Sequence, residues 1–155
     1  VEAADGNLYT IESSGSNHNL VRIKPDLSIE KTPVRSDYSP SSFSAYREAM
    51  FCGTGKDNNF YYVAGGKIYK CSFDNAAPEQ PFVTYQKSGY SFYGAGIRVN
   101  PTNNEIIATY LSMNHPSIAN YYSNIIARFD GNTGELLSET EYEGYWFPGT
   151  IIFPN

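Results

Sequence analysis

Apolar and polar residues alternate with a period of two along most of this chain, and the alternation is clearest in three similar stretches. These stretches open at Gly6, Asn59 and Asn104. Alternation with period two is typical of β-strands that bury one face. A 3.6-residue period sustained over three helical turns is found nowhere. The pattern therefore predicts an all-β chain.

A second short strand follows each stretch, and a basic residue lies at its centre between apolar or small residues. The three basic residues are Arg22, Lys70 and Arg128, which are 48 and 58 residues apart. An aspartate follows each of them within four positions. A repeat of about 40–50 residues that is built from short strands is the signature of a β-propeller blade.

We therefore predict β-propeller blades of four-stranded antiparallel sheets, with strands A to D running from the hub outward. Residues 1–155 form one propeller segment of about three blades. The blades are expected at approximately 1–35, 43–86 and 94–142, followed by a terminal strand at 149–153. The C strands are expected at 20–24, 67–73 and 124–130, and the D strand of the second blade at 81–86. The first blade has no obvious A strand.

Composition narrows the classes of function. Aromatic residues make up 15% of the chain, and 14 of them are tyrosines, which favours strands. The net charge of -5 gives no electrostatic support to nucleic-acid binding. No apolar run approaches the roughly 20 residues of a membrane helix. Richness in Tyr, Asn, Ser and Gly fits a secreted or surface-exposed bacterial protein, so an extracellular or cell-surface location is expected.

Two segments resemble a known family. The segment 97–107, which reads Ile-Arg-Val-Asn-Pro-Thr-Asn-Asn-Glu-Ile-Ile, resembles the blade motif of YVTN-type, surface-layer-like β-propellers. The tail 145–154 resembles the end of such propellers among bacterial surface lipoproteins. The resemblance implies a setting beside an outer-membrane nutrient transporter, and one branch of the group binds vitamin B12. The run from Asp130 to Gly134 also resembles quinoprotein blades, where it is structural.

Three blades are fewer than the four to eight that propellers usually have. Open sheet faces and edges are avoided in natural proteins. We therefore expect the chain to be the C-terminal part of a larger propeller, or to be completed by missing blades from a partner chain. The strand at 149–153 would then close the ring. Val1 is not a start methionine, which also fits a mature product or a fragment.

Aromatic residues are concentrated in the D–A and B–C loops, which emerge on one face of a propeller, and the opposite loops have none. Loops on a rigid scaffold often carry binding residues, and aromatic side chains suit flat, partly apolar ligands. Packing of the same aromatics between the blades is the alternative. The candidate ligand-binding residues are Tyr90, Phe92, Tyr93, Tyr121, Tyr122, Tyr145 and Trp146.

Other candidates carry weaker signals. His18 and His115 lack a cysteine or carboxylate at zinc-ligand spacing, and the segment that begins at Asp130 fits a turn better than a calcium loop. Glu141 and Glu143 point to one side of a strand, where an exposed edge explains them better than paired catalysis. No catalytic residue, metal ligand or cofactor is predicted.

The two cysteines are predicted to be free. Cys52 falls on strand A and Cys71 on strand C of one blade, and strand B lies between them. Strands are about 4.8 Å apart, so the cysteines should be separated by about 10 Å, too far for a disulfide.

Together these features predict a non-enzymatic, surface-exposed β-propeller module that binds a glycan or corrinoid in bacterial nutrient capture. An outer-membrane transporter is an expected partner, and nucleic acid is not. Two alternatives stay open: a protein–protein interaction scaffold, and a propeller-fold lyase or glycosidase.

Overall fold

A computed structural model describes residues 1–38, 51–54, 56–112 and 123–143. These residues form ten strands in three antiparallel sheets and contain no helix. The first sheet is β1 (Leu8–Ser14), β2 (Asn17–Ile23) and β3 (Ile29–Pro33). The second sheet is β4 (Phe51–Gly53), β5 (Phe60–Ala64) and β6 (Lys67–Cys71). The third sheet is β7 (Ser91–Val99), β8 (Ile106–Ser112), β9 (Ser123–Phe129) and β10 (Leu136–Glu143).

The predicted all-β fold of antiparallel sheets is confirmed. Strands β2, β6 and β9 overlap the three predicted C strands, although β2 begins at Asn17, three residues before its predicted start, and β2 and β9 lie in different sheets. Strand β6 ends at Cys71, two residues before its predicted end, because Ser72 and Asn75 exchange backbone hydrogen bonds and turn the chain.

The prediction of a D strand at 81–86 is wrong. Only Val83 pairs there, in a single bridge to Ile68. Pro81 has no N–H to donate to a ladder, and the side chains of Phe82 and Tyr85 pack against a core cluster.

The first sheet does have residues at the A position, although no A strand was predicted. Glu2 forms an isolated bridge with Leu8, and Val1 and Tyr9 exchange backbone hydrogen bonds of 2.7 and 2.8 Å. The predicted terminal strand at 149–153 lies outside the described residues.

Glycine and asparagine residues in the turns set the registers of the strands that they join. Gly65 and Gly66 have φ angles of 52° and 72° and join β5 to β6 in a two-residue hairpin. Positive φ at both positions is the requirement of a type I′ turn, which glycine meets without strain. Asn104 takes a φ of 61° in the turn before β8.

The second sheet lies between the other two sheets, and β5 is buried on both faces. Phe60, Tyr62 and Ala64 belong to a core cluster shared with the first sheet. Tyr61 and Val63 belong to a cluster shared with the third sheet. The even-numbered residues of β5 thus pack on the first sheet and the odd-numbered residues pack on the third, so that β5 connects all three sheets into a single stack.

The cysteines are free and buried, which confirms the prediction that no disulfide links them. They lie on opposite faces of the second sheet, because Cys52 packs towards the third sheet and Cys71 towards the first. Burial raises the pKa of each thiol to about 12.

Candidate functional site

The segment between the second and third sheets, residues 84–90, carries tyrosine and lysine side chains onto the third sheet; we call it the linker. The Tyr85 ring meets the rings of Tyr110 and Phe129 edge-on, with centroids 5.3 and 5.5 Å away. Tyr90 packs against the same core cluster. Apolar contacts therefore hold the linker in place, and they fix the positions of the Tyr85 and Tyr90 hydroxyl groups.

The outer strand β10 supplies two carboxylates on the face that the linker covers. Glu139 and Glu141 pair with Ala127 and Ile125 of β9, whose buried side chains face the second sheet. Residues two apart on a strand share a face. Both glutamates are therefore directed to the side where the linker lies.

Glu139 binds the first half of the linker. The Tyr85 hydroxyl donates to Glu139 Oε2 at 2.5 Å, and Lys87 Nζ donates to Glu139 Oε1 at 3.0 Å. Lys87 Nζ also lies 3.4 Å from Glu141 Oε2, so one ammonium group bridges both carboxylates.

Glu141 binds Tyr90, at the end of the linker. Its Oε1 accepts hydrogen bonds from the Tyr90 hydroxyl and, at 2.8 Å, from Ser123 Oγ at the start of β9. The Tyr90 and Ser123 oxygens are themselves 2.8 Å apart. Lys87 Nζ lies 5.5 Å from the centroid of the Tyr90 ring, within cation–π range.

These contacts shift the protonation equilibria of the group. Hydrogen bonds from Tyr85 and Tyr90 lower the pKa of Glu139 and Glu141, respectively, and the bond to Glu139 raises the pKa of Lys87. Burial, helped by Glu139, raises the pKa of Tyr85 to about 12. At neutral pH the group holds two carboxylates, one ammonium and protonated phenols.

The Tyr110 ring, which meets the Tyr85 ring edge-on, also contacts the ring of Phe92. The ring of Phe92, on β7, is tilted against the ring of Tyr110 at a centroid distance of 4.5 Å. The Tyr110 hydroxyl is buried and, in the part of the chain that the structure describes, has no hydrogen-bond partner. We name the set the linker site: Tyr85, Lys87, Tyr90, Phe92, Ser123, Glu139 and Glu141.

Two of the seven predicted ligand residues, Tyr90 and Phe92, lie in the linker site, and both are half-buried. Tyr93 belongs to β7, but its side chain lies outside the described part of the structure. The other four lie outside the described residues and stay predictions: Tyr121, Tyr122, Tyr145 and Trp146. Tyr38, an aromatic residue in the D–A loop that follows the first sheet, is a core residue only 6% exposed, which agrees with the alternative that such aromatics pack between the blades.

The histidine and turn candidates have ordinary structural contacts. His18 Nδ1 lies 2.9 Å from Ser13 Oγ, and its ring packs against Tyr38. Asp130 Oδ1 accepts the N–H groups of Asn132 and Thr133, as the turn interpretation predicted. Within the described residues no three His, Cys, Asp or Glu side chains are grouped so that they could hold a metal ion.

A family model matches residues 1–154, nearly the entire chain. The chain belongs to the family described as domain of unknown function DUF5074. No match was found among curated proteins. None of the described DUF5074 residues forms a helix long and apolar enough to span a membrane.

A solved structure supports the propeller-like fold of this DUF5074 chain. It is a quinonprotein alcohol dehydrogenase-like protein from Bacteroides thetaiotaomicron, with 24% sequence identity and a TM-score of 0.70. The similarity covers 92% of the DUF5074 chain and 32% of the solved chain, so the chain spans about a third of that protein's length. At this identity the similarity shows the fold alone.

Sequence reasoning missed Tyr85, Lys87, Ser123 and Glu139 in this DUF5074 chain. The linker residues are 51 to 54 residues away from the two glutamates along the chain, and the register of β10 decides which glutamates face the linker. The prediction paired Glu141 with Glu143, whereas the contacts pair it with Glu139. The alternation of Glu139, Glu141 and Glu143 was the available signal.

Proposed function

We propose that this chain is a surface-exposed, non-enzymatic propeller module that binds a glycan at the linker site. The carrying observation is the convergence of two phenols, a serine hydroxyl, an ammonium and two carboxylates beside partly exposed aromatic rings. The charged side chains remain accessible, since those of Lys87, Glu139 and Glu141 are 32–41% exposed.

The chemistry of the site suits a sugar. A sugar ring presents hydroxyls that both donate and accept hydrogen bonds, and a face of C–H groups that packs on aromatic rings. Carboxylates accept, an ammonium donates, and serine and tyrosine hydroxyls do both. Aromatic side chains such as Tyr90 and Phe92 offer the apolar surface. Few placed polar groups on an aromatic lining are typical of small-ligand sites.

The protonation states favour binding over glycoside hydrolysis. A glycosidase needs one carboxylic acid whose pKa is raised so that it can protonate the leaving group. Hydrogen bonds lower the pKa of both Glu139 and Glu141 instead. Neither glutamate is suited to act as the general acid.

We further propose that the module works in nutrient capture at the extracellular or outer-membrane surface of a bacterium, beside an outer-membrane transporter. Three features support this setting: the richness in Tyr, Asn, Ser and Gly, the resemblance of the segment 97–107 to surface-layer-like propellers, and the bacterial source of the solved neighbour.

Isothermal titration calorimetry with a panel of neutral and acidic oligosaccharides, and with cobalamin as the corrinoid, tests the proposal. We expect at least one oligosaccharide to bind, and Glu141→Gln and Tyr90→Phe to weaken binding about tenfold each, which corresponds to the loss of about 1.4 kcal/mol when one polar contact with the ligand is removed. The control is Glu79→Gln, which changes an exposed glutamate outside the linker site.

Binding of cobalamin alone would contradict the choice of a glycan. Oligosaccharide binding that both linker-site variants leave unchanged would contradict the choice of site. Absence of binding to every ligand in the panel would favour the protein-interaction scaffold, which pull-down with a candidate transporter would then test.

A further inference from the structure

The three sheets contact one another through the same pair of positions, repeated along the chain. In the first sheet the pair is Tyr9 and Arg22, which face each other across β1 and β2. In the second sheet it is Tyr61 and Lys70 on β5 and β6. We call each of these a donor pair, because it reaches across to the following sheet.

Each donor pair contacts the sheet that follows, and its basic residue meets the turn after β6 in one case and the turn after β9 in the other. The Tyr9 ring packs on Phe60 at 4.4 Å, and the Arg22 guanidinium carbon lies 4.0 Å from the centroid of the Phe73 ring. The Tyr61 hydroxyl and Lys70 Nζ lie 3.4 and 3.5 Å from the Gly131 carbonyl oxygen.

The positions that are contacted are equivalent. Phe73 lies three residues after Lys70, and Gly131 lies three residues after Arg128. The basic residue of one sheet thus contacts the turn three residues beyond the basic residue of the next. In the first sheet the same turn position is Pro25, and Asp26 follows it.

The third sheet carries a donor pair with no following sheet among the described residues. Its members are Ile107 and Arg128, which pair across β8 and β9 on the face turned away from the second sheet. Ile107 is half-buried, whereas the equivalent residues Tyr9 and Tyr61 are only 2% and 3% exposed. The Arg128 side chain is 47% exposed and pairs with Glu105 of its own sheet.

The first sheet has the complementary feature. On the second and third sheets, the face that receives a donor pair carries a buried pair of its own, which we call the acceptor pair. These acceptor pairs are Phe60–Cys71 and Ile106–Phe129, and no member is more than 3% exposed. The equivalent pair in the first sheet is Leu8 and Ile23, followed across the sheet by Ile29. Leu8 is 50% exposed and Ile29 is 58% exposed. An exposed row of apolar side chains on a sheet face marks an interaction surface.

We propose that a second copy of this chain occupies both surfaces, with the third sheet of each copy docked on the first sheet of the other. Ile107 packs on Leu8 and Ile23, and Arg128 reaches the turn at Pro25 and Asp26. The outer face of the third sheet carries the donor residues Ile107 and Arg128, and the outer face of the first sheet carries the exposed apolar row and, in its turn, the oppositely charged Asp26. Two such contacts close a ring of six sheets, within the range of four to eight blades in propellers.

Sedimentation equilibrium of the 155-residue chain over a range of concentrations tests this. We expect a limiting mass of twice 17.3 kDa. Leu8→Asp should raise the dissociation constant at least tenfold, because it places a charge in an apolar contact. Leu8 is half-exposed within one copy, so the variant should fold. Leu137→Asp, at an equally exposed leucine on β10, is the matched control and should leave the mass unchanged.

Charge exchange tests the orientation of the contact. Arg128→Glu and Asp26→Arg should each weaken association, and combining them in one chain should restore part of it. A monomer at every concentration overturns the proposal, as does association that Leu8→Asp leaves intact. Growth in mass beyond two copies also overturns it, because the contact would then form open chains instead of a closed ring. The linker site is not involved, so glycan binding does not decide these outcomes.

Discussion

At the scale of single residues, two buried tyrosines of the core differ in one hydrogen bond. The Tyr62 hydroxyl donates to the Ala76 carbonyl at 2.9 Å. The Tyr110 hydroxyl is equally shielded from water but has no partner in the described structure. Burial raises the pKa of both phenols, so both are protonated at neutral pH. A buried hydroxyl without a hydrogen bond loses its contacts with water and gains nothing in return.

The two tyrosines should therefore respond oppositely to the loss of their hydroxyls. Tyr110→Phe should raise the free energy of unfolding by about 1 kcal/mol, and Tyr62→Phe should lower it by about 1 kcal/mol. Urea unfolding followed by circular dichroism measures both values. A loss of stability in Tyr110→Phe would show that its hydroxyl is hydrogen-bonded after all.

At the scale of elements, the linker and β10 hold each other through ionised side chains. The pKa of Glu139 and Glu141 is lower in the folded chain than the ordinary value of 4.5. Groups whose pKa falls on folding stabilise the protein above their unfolded pKa, and this contribution is lost as the pH drops through the folded pKa. Exposure to solvent keeps the contribution of each pair modest.

The free energy of unfolding should consequently decline as the pH falls below about 4.5. Glu139→Gln combined with Glu141→Gln should make that decline shallower, because neither site can then take up a proton. Glu135→Gln, in the exposed turn before β10, is the control. Urea unfolding at intervals from pH 3 to pH 7 gives the slopes, and equal slopes in all three proteins would contradict the role of the two glutamates.

The elements also show how far the sequence leads. The sequence pattern located β2, β6 and β9, where apolar and polar residues are mixed, and it also located β5, which is apolar throughout because both of its faces are buried. The pattern failed at 81–86, where Val83 and Tyr85 alternate with polar residues, because both side chains pack on a core cluster and only Val83 pairs with a neighbouring strand. The aromatic loops pointed to Tyr90 and Phe92, but the glutamate partners depend on tertiary register, which local patterns do not encode.

At the scale of the whole molecule, β5 is the element on which the stack depends. It is hydrogen-bonded to a strand on each side and packs against a sheet on each face. Strand β3, by contrast, is the outer strand of the first sheet, and none of its residues is fully buried. Local stability follows such differences in burial and hydrogen bonding.

Amide hydrogen exchange should follow this order. We expect the amides of β5 to exchange most slowly, at the rate set by global unfolding, and those of β3 to exchange at least tenfold faster through local opening. Exchange measured by NMR or mass spectrometry gives the rates. Equal protection of β3 and β5 would mean that the sheets open only together.

The repeated contact between sheets also bears on how such a chain can lengthen during evolution. Arg22 of the first sheet contacts Phe73 in the turn of the second sheet, and Lys70 of the second sheet contacts Gly131 in the turn of the third. A gene segment that encodes one sheet therefore encodes both the basic residue that contacts the following sheet and the turn that the preceding sheet contacts. Duplication of such a segment adds the donor and the contacted turn together, so a chain of this kind can gain a unit in one step, after which the contact residues diverge, as Phe73 and Gly131 have done.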